Sequence, residues 1–454
     1  MTALWTSADL LEATGGELRT PLTATGVSID TRTLQPGDLF VALCTETGDG
    51  HDHVPAALAK GAAGCMVHWE MTGRALIVDD TLAGLARMGG YARARFTGRL
   101  AAITGSVGKT TTKEMLRTIL AAQAPTHAAI ASYNNQWGLP LTLARLPPDA
   151  AFCVAEIGMN HAGEIQPLAR LARPHLALIT TIEKAHIGHL GSIEAIADEK
   201  AALLRSLEPD GIAVLPADSP HLPRLRAAAG RARIITFGSD ELADARLVSA
   251  ATDADGTDVA VDLAGVAARF RLAAPGRHMA MNAVAALTAA AALGIPPATA
   301  AAALNGFVPV AGRGARRQID LPGGTALLLD ESYNGNGASM RAALSVLRLL
   351  PATRRIAVLG DMLELGTEAE AEHIALADSV AASADKLFAC GPLMRHLYDA
   401  VPSGLRGAHV PDSAALAEII GGVIRPGDAI LVKGSLGTRM KLVVAALDRL
   451  AEPA

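Results

Sequence analysis

The chain has 454 residues, of which 50% are hydrophobic and only 3% aromatic, and its formal net charge is −5. At about 100–200 residues per domain, this length predicts two to four domains, and three is our working number. The mild acidity and the lack of a Lys/Arg-rich run argue against a nucleic-acid partner, and no segment has the pattern of a signal peptide or membrane span. We therefore expect a cytoplasmic protein.

Residues 1–97 alternate short strand-like runs with helical ones. The predicted strands are 39–43, 64–67 and 76–78, and the predicted helices are 54–60 and 82–96. This pattern predicts a small α/β domain.

The four cysteines are scattered along the chain without the spacing of a metal site. Each has apolar neighbours in sequence, so we predict buried, reduced thiols. The four are Cys44, Cys65, Cys153 and Cys390.

Residues 98–312 begin with the most informative segment, ITGSVGKTTTKEML at 103–116. An apolar lead is followed by a Gly-rich turn and a helix start, which is a short form of the phosphate-binding loop, because Ile103 stands where the general pattern has Gly. The backbone N–H groups of the turn can bind phosphate oxygens, Lys109 can reach the terminal phosphates, and the Thr110 hydroxyl can coordinate Mg²⁺. A nucleoside triphosphate is the expected ligand.

Two further segments of this region carry chemistry. A strand predicted at 151–157 carries Glu156, which either holds Mg²⁺ or forms a structural ion pair. After a strand at 177–182, a loop carries His186 and His189, and a helix beginning at Ser192 presents Lys200. By composition alone, Lys200 is either a solvated helix lysine or a functional group.

The remaining strands of the region, at 211–215 and 233–237, favour a mostly parallel nucleotide-binding sheet, with a surface β excursion over 240–261. Asn282 lies in the first turns of a long helix. Its amide either reads an adenine edge or merely caps and packs the helix.

Residues 313–454 form a third alternating segment with strands at 325–329, 355–359, 386–390 and 429–432, which predicts a second open, Rossmann-like α/β unit. Arg313 lies at the joint that leads into it. The loop DESYNGNGAS is either a ligand-facing loop or an Asn/Gly turn, and the charges of Lys433 and Arg439 either hold a carboxylate or are solvated.

Ten segments in sequence order resemble motifs of the Mur ligase family of peptidoglycan synthesis. They are SIDTRTLQPGDLFVAL, DGHDHV, TGSVGKTTTKEM, SYNNQWGLPLTL, AEIGMNHAGEI, AHIGHLGS, DEKAAL, GRHMAMNA, DESYNGN and LGDMLELG. The chain departs from the family pattern at Thr181, where Asn is common, and at Glu331, Gly335 and Gly337, where Asp, Ala and Pro are expected.

The resemblance implies a three-domain α/β enzyme: a UDP-sugar-binding domain at 1–97, an ATP-binding domain at 98–312, and a domain at 313–454 that binds an incoming dipeptide. It implies an ATP- and Mg²⁺-dependent amide ligase that joins D-alanyl-D-alanine to UDP-N-acetylmuramoyl-tripeptide through an acyl phosphate. We expect a monomer. The alternatives are the ligase that adds the third residue, against which the lack of a DNPR-like segment argues, and a nucleotide-binding regulatory protein of the same fold.

The resemblance also implies roles for individual residues. The implied catalytic residues are Lys109, Lys200, His186 and Arg313, and Lys200 matches a lysine that family members can carry as a carbamate. The implied metal ligands are Thr110, Glu156, His186 and Lys200. The implied nucleotide-binding residues are Gly105, Ser106, Val107, Gly108, Lys109, Thr110, Thr111, Asn282, Arg313, Asp330, Tyr333 and Asn334. The implied substrate-binding residues are Ser28, Asp30, Thr31, Arg32, Asp49, Gly50, His51, Asn134, Asn135, Asn336, Lys433 and Arg439.

Overall fold

A computed structural model describes residues 3–45, 48–71, 73–130 and 132–451 of the protein. These residues form three successive α/β units, each with its own main sheet. Among the helices described, none is long and apolar enough to cross a bilayer.

The first unit is built on a mostly parallel sheet. Its strands are β1 (Glu17–Leu18), β2 (Gly26–Ser28), β3 (Asp38–Val41), β4 (Cys44–Thr45), β5 (Gly48–Asp49), β6 (Gly64–Val67) and β7 (Ala75–Ile77), and its helices are α1 (Ser7–Thr14), α2 (Val54–Ala59) and α3 (Thr81–Arg95). Five strands pair in the order β1-β7-β6-β3-β2, while β4 and β5 form a separate hairpin. The side chain of Asp80 accepts a hydrogen bond from the Ala83 N–H and so caps α3.

The second unit contains nine strands and eight helices among the described residues. Its strands are β8 (Arg99–Thr104), β9 (Thr126–Ala128), β10 (Phe152–Glu156), β11 (Leu176–Ile179), β12 (Ile212–Pro216), β13 (Arg233–Gly238), β14 (Ala245–Thr252), β15 (Thr257–Leu263) and β16 (Val266–Leu272). Its helices are α4 (Lys109–Ala121), α5 (Gly138–Ala144), α6 (Ile165–Ala172), α7 (Ile187–Leu190), α8 (Ile193–Ala201), α9 (Leu222–Ala229), α10 (Arg277–Ala292) and α11 (Pro297–Leu304). The strand order is β16-β15-β14-β13-β12-β11-β8-β10-β9, and the strands from β9 to β13 are parallel.

The third unit is a six-stranded sheet with one antiparallel edge pair, β17 with β18. Its strands are β17 (Ala315–Leu321), β18 (Gly324–Glu331), β19 (Arg354–Gly360), β20 (Lys386–Cys390), β21 (Arg406–Val410) and β22 (Asp428–Lys433), and its helices are α12 (Gly337–Leu349), α13 (Ala369–Ile374), α14 (Ala377–Ser383), α15 (Met394–Ala400), α16 (Ser413–Ile420) and α17 (Lys441–Asp448). The order is β17-β18-β22-β19-β20-β21. The central strand β22 is buried along its whole length, as the apolar run in the sequence predicted.

The predicted fold class is confirmed, and each strand predicted from the apolar runs overlaps an observed strand. The excursion over 240–261 does contain strands, but they continue the main sheet instead of standing apart: β14 pairs with β13, and β15 and β16 follow as antiparallel neighbours. The edge strands β9, β17 and β21 were not predicted. They are short or polar, so their hydrophobic pattern is weak.

The first and second units are joined by buried polar contacts as well as apolar packing. The Trp5 indole N–H donates to the Ala144 carbonyl at 2.8 Å, and the Arg145 Nε donates to the Val27 carbonyl at 2.6 Å. Leu141 and Ala144 of α5 belong to the same apolar cluster as Trp5. These contacts fix the orientation of the two units.

The third unit contacts the second through a continuous apolar cluster and through charged pairs. Lys184 lies 2.7 Å from Glu368 and 3.1 Å from Glu372, which are in the third unit. Arg316 donates at 2.8 Å to the carbonyl of Asp255 in the β14–β15 turn. Contacts between exposed charges are weak singly, so they orient the third unit more than they stabilise it.

The cysteine prediction is correct for three residues and wrong for one. Cys65, Cys153 and Cys390 are buried, free thiols, and burial raises the pKa of each to about 12. Cys44 is exposed. It lies on the β4–β5 hairpin, which is outside the five-stranded sheet, so its apolar sequence neighbours do not cover it.

The buried centre of the third sheet yields a stability prediction. Leu431 on β22 is fully buried, and Leu431→Ala is expected to lower the free energy of unfolding by about 2–5 kcal/mol because it leaves a cavity. Leu442 is 43% exposed, so Leu442→Ala is the matched control, with an expected loss below about 1 kcal/mol. Thermal and urea unfolding monitored by circular dichroism measure both. Equal losses for the two variants would contradict the buried position of β22.

Candidate functional site

The phosphate-binding loop lies between the end of β8 and the start of α4. Gly105 and Gly108 have φ values of 147° and 86°, which side chains rarely adopt. A Cβ atom on Gly105 would lie 1.9 Å from Thr180 Oγ1, and one on Gly108 would lie 2.3 Å from Asn282 Oδ1. Both glycines are therefore required by backbone conformation and by space.

The loop is held from outside by the two threonines that follow β11. Thr180 Oγ1 donates to the Val107 carbonyl at 2.5 Å, and Thr181 accepts from the N–H groups of Ser106 and Val107 at 2.9 and 3.0 Å. These two N–H groups are thus occupied within the protein. The donors that remain for phosphate are those of the first turn of α4, which have no partner inside the helix.

Lys109 is close to groups of both signs. Its Nζ donates to the Gly105 carbonyl at 2.7 Å. Burial lowers the pKa of Lys109, the Glu156 carboxylate opposes that shift, and the positive charge of Arg313 adds to it. A polyanion in the loop would relieve the repulsion between the two cations.

Glu156 is fully buried, and it forms hydrogen bonds instead of an ion pair. Its Oε2 accepts from Thr110 Oγ1 at 2.7 Å, and its Oε1 accepts from Asn134 Nδ2 at 2.8 Å. The Thr110 hydroxyl also lies 3.2 Å from the Ser132 hydroxyl. A carboxylate beside two hydroxyls is an oxygen donor set of the kind that Mg²⁺ takes, so the residues present fit that ion.

Arg313 approaches this edge from the start of the third unit. One of its Nη atoms donates to Ser132 Oγ at 2.9 Å, and its Cζ lies 4.1 Å from the Tyr333 ring centre. Lys441 Nζ lies 5.8 Å from the centre of the same Tyr333 ring. The Arg313 guanidinium is thereby placed near the Thr110 and Glu156 pair through Ser132.

Lys200 is not a solvated helix lysine. Ser192 caps α8 as predicted, but Lys200 is only 1% exposed, and among the described residues its Nζ has no hydrogen-bond partner. Burial lowers the pKa of Lys200 well below its usual value, and the nearby positive charge of Lys109 acts in the same direction, while Glu199 opposes it. Both burial and the Lys109 charge therefore favour the neutral form of this amine.

His186 faces the third unit. Its Nδ1 pairs with Glu364 Oε2, and the Gly188 N–H donates to the Glu364 carbonyl at 2.9 Å. Both His186 and Glu364 have left-handed backbone conformations, with φ values of 63° and 65°. The interaction with His186 lowers the pKa of Glu364. In this arrangement His186 contacts Glu364 and not Glu156.

The predicted residues of the third unit fall into two groups. Tyr333 faces Arg313, whereas the Asp330 carboxylate is buried and accepts from the N–H groups of Gly312 and Ser332 at 3.0 and 3.1 Å. Asp330 therefore anchors the joint at 312.

Four predicted residues of the third unit remain. Asn334, Asn336 and Lys433 make local contacts, whereas the Arg439 side chain makes none in the part of the chain that the structure describes. Lys433 is 2% exposed and donates to the Asn334 carbonyl at 2.8 Å while lying 3.2 Å from Glu331. Asn336 caps α12. Arg439 is exposed, with no side-chain partner among the described residues.

The predicted residues of the first unit form two local clusters. Ser28 is buried and bonds the Asp30 backbone, and the Asp30 carboxylate accepts from the Arg32 side chain at 2.7 Å. The Asp49 carboxylate accepts from the His51 N–H at 2.9 Å and lies 2.6 Å from the His51 ring. The Thr31 carbonyl accepts from Lys60, and the Gly50 N–H donates to Leu43.

A cavity of about 570 Å³ separates the first unit from the second. Its walls include Asp80 and Ala83 of the first unit, and Asn135, Gly158 and Glu164 of the second. The Asn135 side chain accepts from the Gly138 N–H at 3.0 Å, so it is fixed at the start of α5. Asn135 therefore lines the cavity, while its sequence neighbour Asn134 contacts Glu156.

Three family models match the chain in order. The Mur ligase family catalytic domain matches residues 23–80, the Mur ligase middle domain 103–290, and the Mur ligase glutamate ligase domain 318–436. A UDP-N-acetylmuramoyl-tripeptide–D-alanyl-D-alanine ligase of Escherichia coli is 34% identical over 98% of both chains. The chain belongs to the Mur ligase family.

Other relatives of this Mur ligase agree. A ligase of the same name from Synechocystis is 36% identical and covers 93% of this chain and 91% of its own. The crystal structure of MurF from Acinetobacter baumannii has a TM-score of 0.85 at 30% identity, covering 98% of this chain and 99% of its own.

Several residues that shape the site were not predicted. Ser132 connects Thr110 with Arg313, Thr180 and Thr181 hold the loop, and Glu364 contacts His186. Ser132 opens the segment SYNNQWGLP, so its position beside Asn134 was the available signal. Nothing in the sequence indicated which residue of the third unit meets His186.

The loop that carries Glu364 depends on a buried histidine. His373 Nε2 accepts from the Met362 N–H at 3.0 Å, and its Nδ1 bonds the Ala369 carbonyl at 2.6 Å. Burial lowers the pKa of His373. A depressed histidine pKa means that the unfolded chain binds the proton first, so stability falls as pH drops below about 6.5.

We therefore expect His373→Gln, which keeps an acceptor for Met362, to reduce the acid sensitivity of folding. Between about pH 7.5 and about pH 5.5, the free energy of unfolding is expected to fall more steeply in the wild type than in the variant, by up to about 1.4 kcal/mol per pH unit. Melting temperatures at the two pH values measure this. His396→Gln is the control because its ring is 38% exposed; a wild-type slope in His373→Gln would contradict the assignment.

Proposed function

We propose that this Mur ligase uses ATP to join D-alanyl-D-alanine to the terminal carboxylate of UDP-N-acetylmuramoyl-tripeptide. One observation supports the reaction type above others: a P-loop lysine, a buried carboxylate–hydroxyl pair and an arginine from the next unit meet at one sheet edge. The substrates follow the full-length relatives, which are named for this activity. The third-residue-adding ligase and the regulatory protein are not favoured.

The charges at this edge suit phosphoryl transfer to a carboxylate. A γ-phosphate and a carboxylate repel each other, so their approach requires cations. Lys109 enters from the loop and Arg313 from the joint, and the positive charge of Arg313 lowers the pKa of Lys109, which supports a shared role for the two cations. When bound between Thr110 and Glu156, Mg²⁺ would neutralise further phosphate charge and orient the phosphate oxygens.

The proposed reaction has two steps. The peptide carboxylate attacks the γ-phosphorus of ATP, the bond from that phosphorus to the bridging oxygen breaks, and an acyl phosphate and ADP form. The dipeptide amine then attacks the acyl carbon, phosphate leaves, and the nitrogen loses a proton to give the amide. The acyl phosphate must be kept from water, and the third unit lies over this edge through its contacts with Lys184 and Ser132.

The three units suggest how the substrates are arranged. We assign the UDP-sugar end to residues 1–97, ATP to 98–312 and the incoming dipeptide to 313–454. The cavity between the first two units, at about 570 Å³, is large enough to hold the peptide part of the acceptor. Arg439, exposed on the third unit, is our candidate for the carboxylate of the dipeptide.

Lys200 fits a carbamate. A neutral amine can add to CO₂ with loss of one proton, and burial favours the neutral form of this amine because it lowers the pKa of Lys200. The carbamate would place a negative group beside Lys109 and restore charge balance. In ¹³CO₂-equilibrated protein, carbon NMR is expected to show one carbamate signal that disappears in Lys200→Met. Lys184→Met is the control, since Lys184 is exposed and paired; a signal that survives in Lys200→Met would contradict the assignment.

The experiment that tests the function is phosphate release from ATP with Mg²⁺ and UDP-N-acetylmuramoyl-tripeptide. We expect release that depends on D-alanyl-D-alanine, with the pentapeptide as product by mass spectrometry. Dependence on a single amino acid instead would make the chain another ligase of the family. No release with any acceptor would refute the ligase reaction.

Lys109→Ala is expected to lower the rate of this reaction by more than about 10²–10³-fold, because it removes a charge from the transferred phosphate. The fold should persist, since the loop is held by Thr180 and Thr181. Lys386→Ala is the control: Lys386 donates to the Gly404 carbonyl in the third unit and lies outside the proposed site. Normal turnover by Lys109→Ala would show that the site is wrongly assigned.

A further inference from the structure

A thiol and two imidazoles meet at one edge of the first unit. Cys44 lies on β4, His51 follows β5, and His68 follows β6. Their ligand atoms all lie within 4.8 Å of one another. This cluster, which we call the Cys44–His51–His68 cluster, takes no part in the bond-forming steps proposed above, although His51 is also among the residues predicted to bind the UDP-sugar.

We propose that the Cys44–His51–His68 cluster binds a borderline divalent cation of the Zn²⁺ type. Thiolate and imidazole ligands favour Zn²⁺ over Mg²⁺, which prefers oxygen ligands. The cluster is thus chemically distinct from the all-oxygen set at Glu156.

The separation of the atoms suits one tetrahedral ion. Zn–S bonds of about 2.3 Å and Zn–N bonds of about 2.0 Å put the two ligand atoms about 3.5 Å apart. Cys44 Sγ lies 3.7 Å from His51 Nδ1. Asp49 Oδ1 lies 3.3 Å from the same sulfur and 2.6 Å from the same nitrogen, which are hydrogen-bond distances, so it orients these two ligand atoms.

The scaffold of the cluster is ordered by contacts of its own. His51 is only 3% exposed, its ring lies edge-on to His68 with centres 4.2 Å apart, and the Trp69 ring lies 3.9 Å away on the other side. Cys44 and Asp49 are direct partners in the β4–β5 pair. The two exposed members, Cys44 and His68, leave the cluster open to an ion from solvent.

Binding of the ion requires two local exchanges. The thiol must lose its proton, and burial and the Asp49 carboxylate oppose that loss in the free protein because they raise the pKa of Cys44, so the positive charge of the ion has to stabilise the thiolate. The His51 ring must also release one hydrogen bond, either to Asp49 or from the His68 N–H at 3.2 Å. Bonds from the ion to Cys44 and His51 replace the lost S–H bond and the lost hydrogen bond.

The cluster shares Asp49 and His51 with the end of the molecule that we assign to the UDP-sugar. We therefore expect bound Zn²⁺ to compete with that substrate and raise its KM. This consequence rests on the proposed function, whereas the binding of the ion does not.

The direct test is calorimetric titration of the full-length protein with Zn²⁺ in the presence of excess Mg²⁺, which fills the oxygen site. We expect one Zn²⁺ per chain, and a loss of affinity of more than about tenfold in Cys44→Ser and in His68→Gln. Both residues are exposed, so these variants should fold, as circular dichroism will verify. His53→Gln, an exposed histidine two residues from His51, is the matched control and should bind as the wild type does.

A second measurement identifies the thiolate ligand. With Co²⁺ in place of Zn²⁺, we expect thiolate-to-cobalt charge-transfer absorption in the wild type and none in Cys44→Ser. Unchanged zinc affinity in Cys44→Ser, or cobalt binding without that absorption, would overturn the proposal.

The kinetic measurement is made separately. Zn²⁺ is expected to raise the KM for the UDP-substrate in the wild type and not in Cys44→Ser. An unchanged KM at saturating Zn²⁺ would overturn the competition. Zinc binding is measured without substrate, so its result does not depend on the ligase reaction. If the protein does not catalyse that reaction, no activity is seen even without Zn²⁺, and this outcome differs from inhibition by Zn²⁺.

Discussion

The parallel pairing of β8 with β10 is the constraint on which the site depends. Their register pairs Glu156 with Ile103, so the carboxylate lies beside the end of β8, just before the phosphate-binding loop. The Thr110–Glu156 hydrogen bond follows directly, and Asn134 and Ser132 are positioned around it. A register shift of one residue would turn Glu156 to the other face of the sheet.

Around this edge, the protein places three basic side chains close together and compensates them incompletely. Arg313 contributes a positive charge, and burial lowers the pKa of Lys109 and Lys200, which favours the neutral form of each amine. Glu156 is the buried carboxylate that opposes the shift of Lys109. The imbalance is costly for the protein alone, but it matches a ligand with several negative charges.

The parts of the site that the sequence predicted are those with local signals. The loop at 105–110 follows from turn chemistry, and Ser192 as the cap of α8 follows from its residue type. The burial of Lys200 could not be derived, because a helix pattern does not reveal which face the neighbouring elements cover. The pairing of His186 with Glu364 likewise depends on how two units are oriented.

The same reason explains why the prediction failed for Cys44 alone among the four cysteines. Their linear spacing gives no metal pattern, and Cys44 meets His68 only because the β4–β5 hairpin lies beside the end of β6. In the fold as a whole, buried parallel strands were predictable from their apolar runs. The polar edge strands β17 and β21 depend on pairing with a neighbour, which a hydrophobic pattern does not encode.

The joint at 312–314 gives Arg313 a mechanical role. Gly312 and Gly314 have φ values of 76° and 100°, and both are fastened to Asp330, through its carboxylate at 3.0 Å and its carbonyl at 2.9 Å. The arginine therefore sits at the pivot between two units and not at the tip of either. A rotation of the third unit would swing the guanidinium away from Ser132, so the same movement that opens the cleft would also withdraw a positive charge from it.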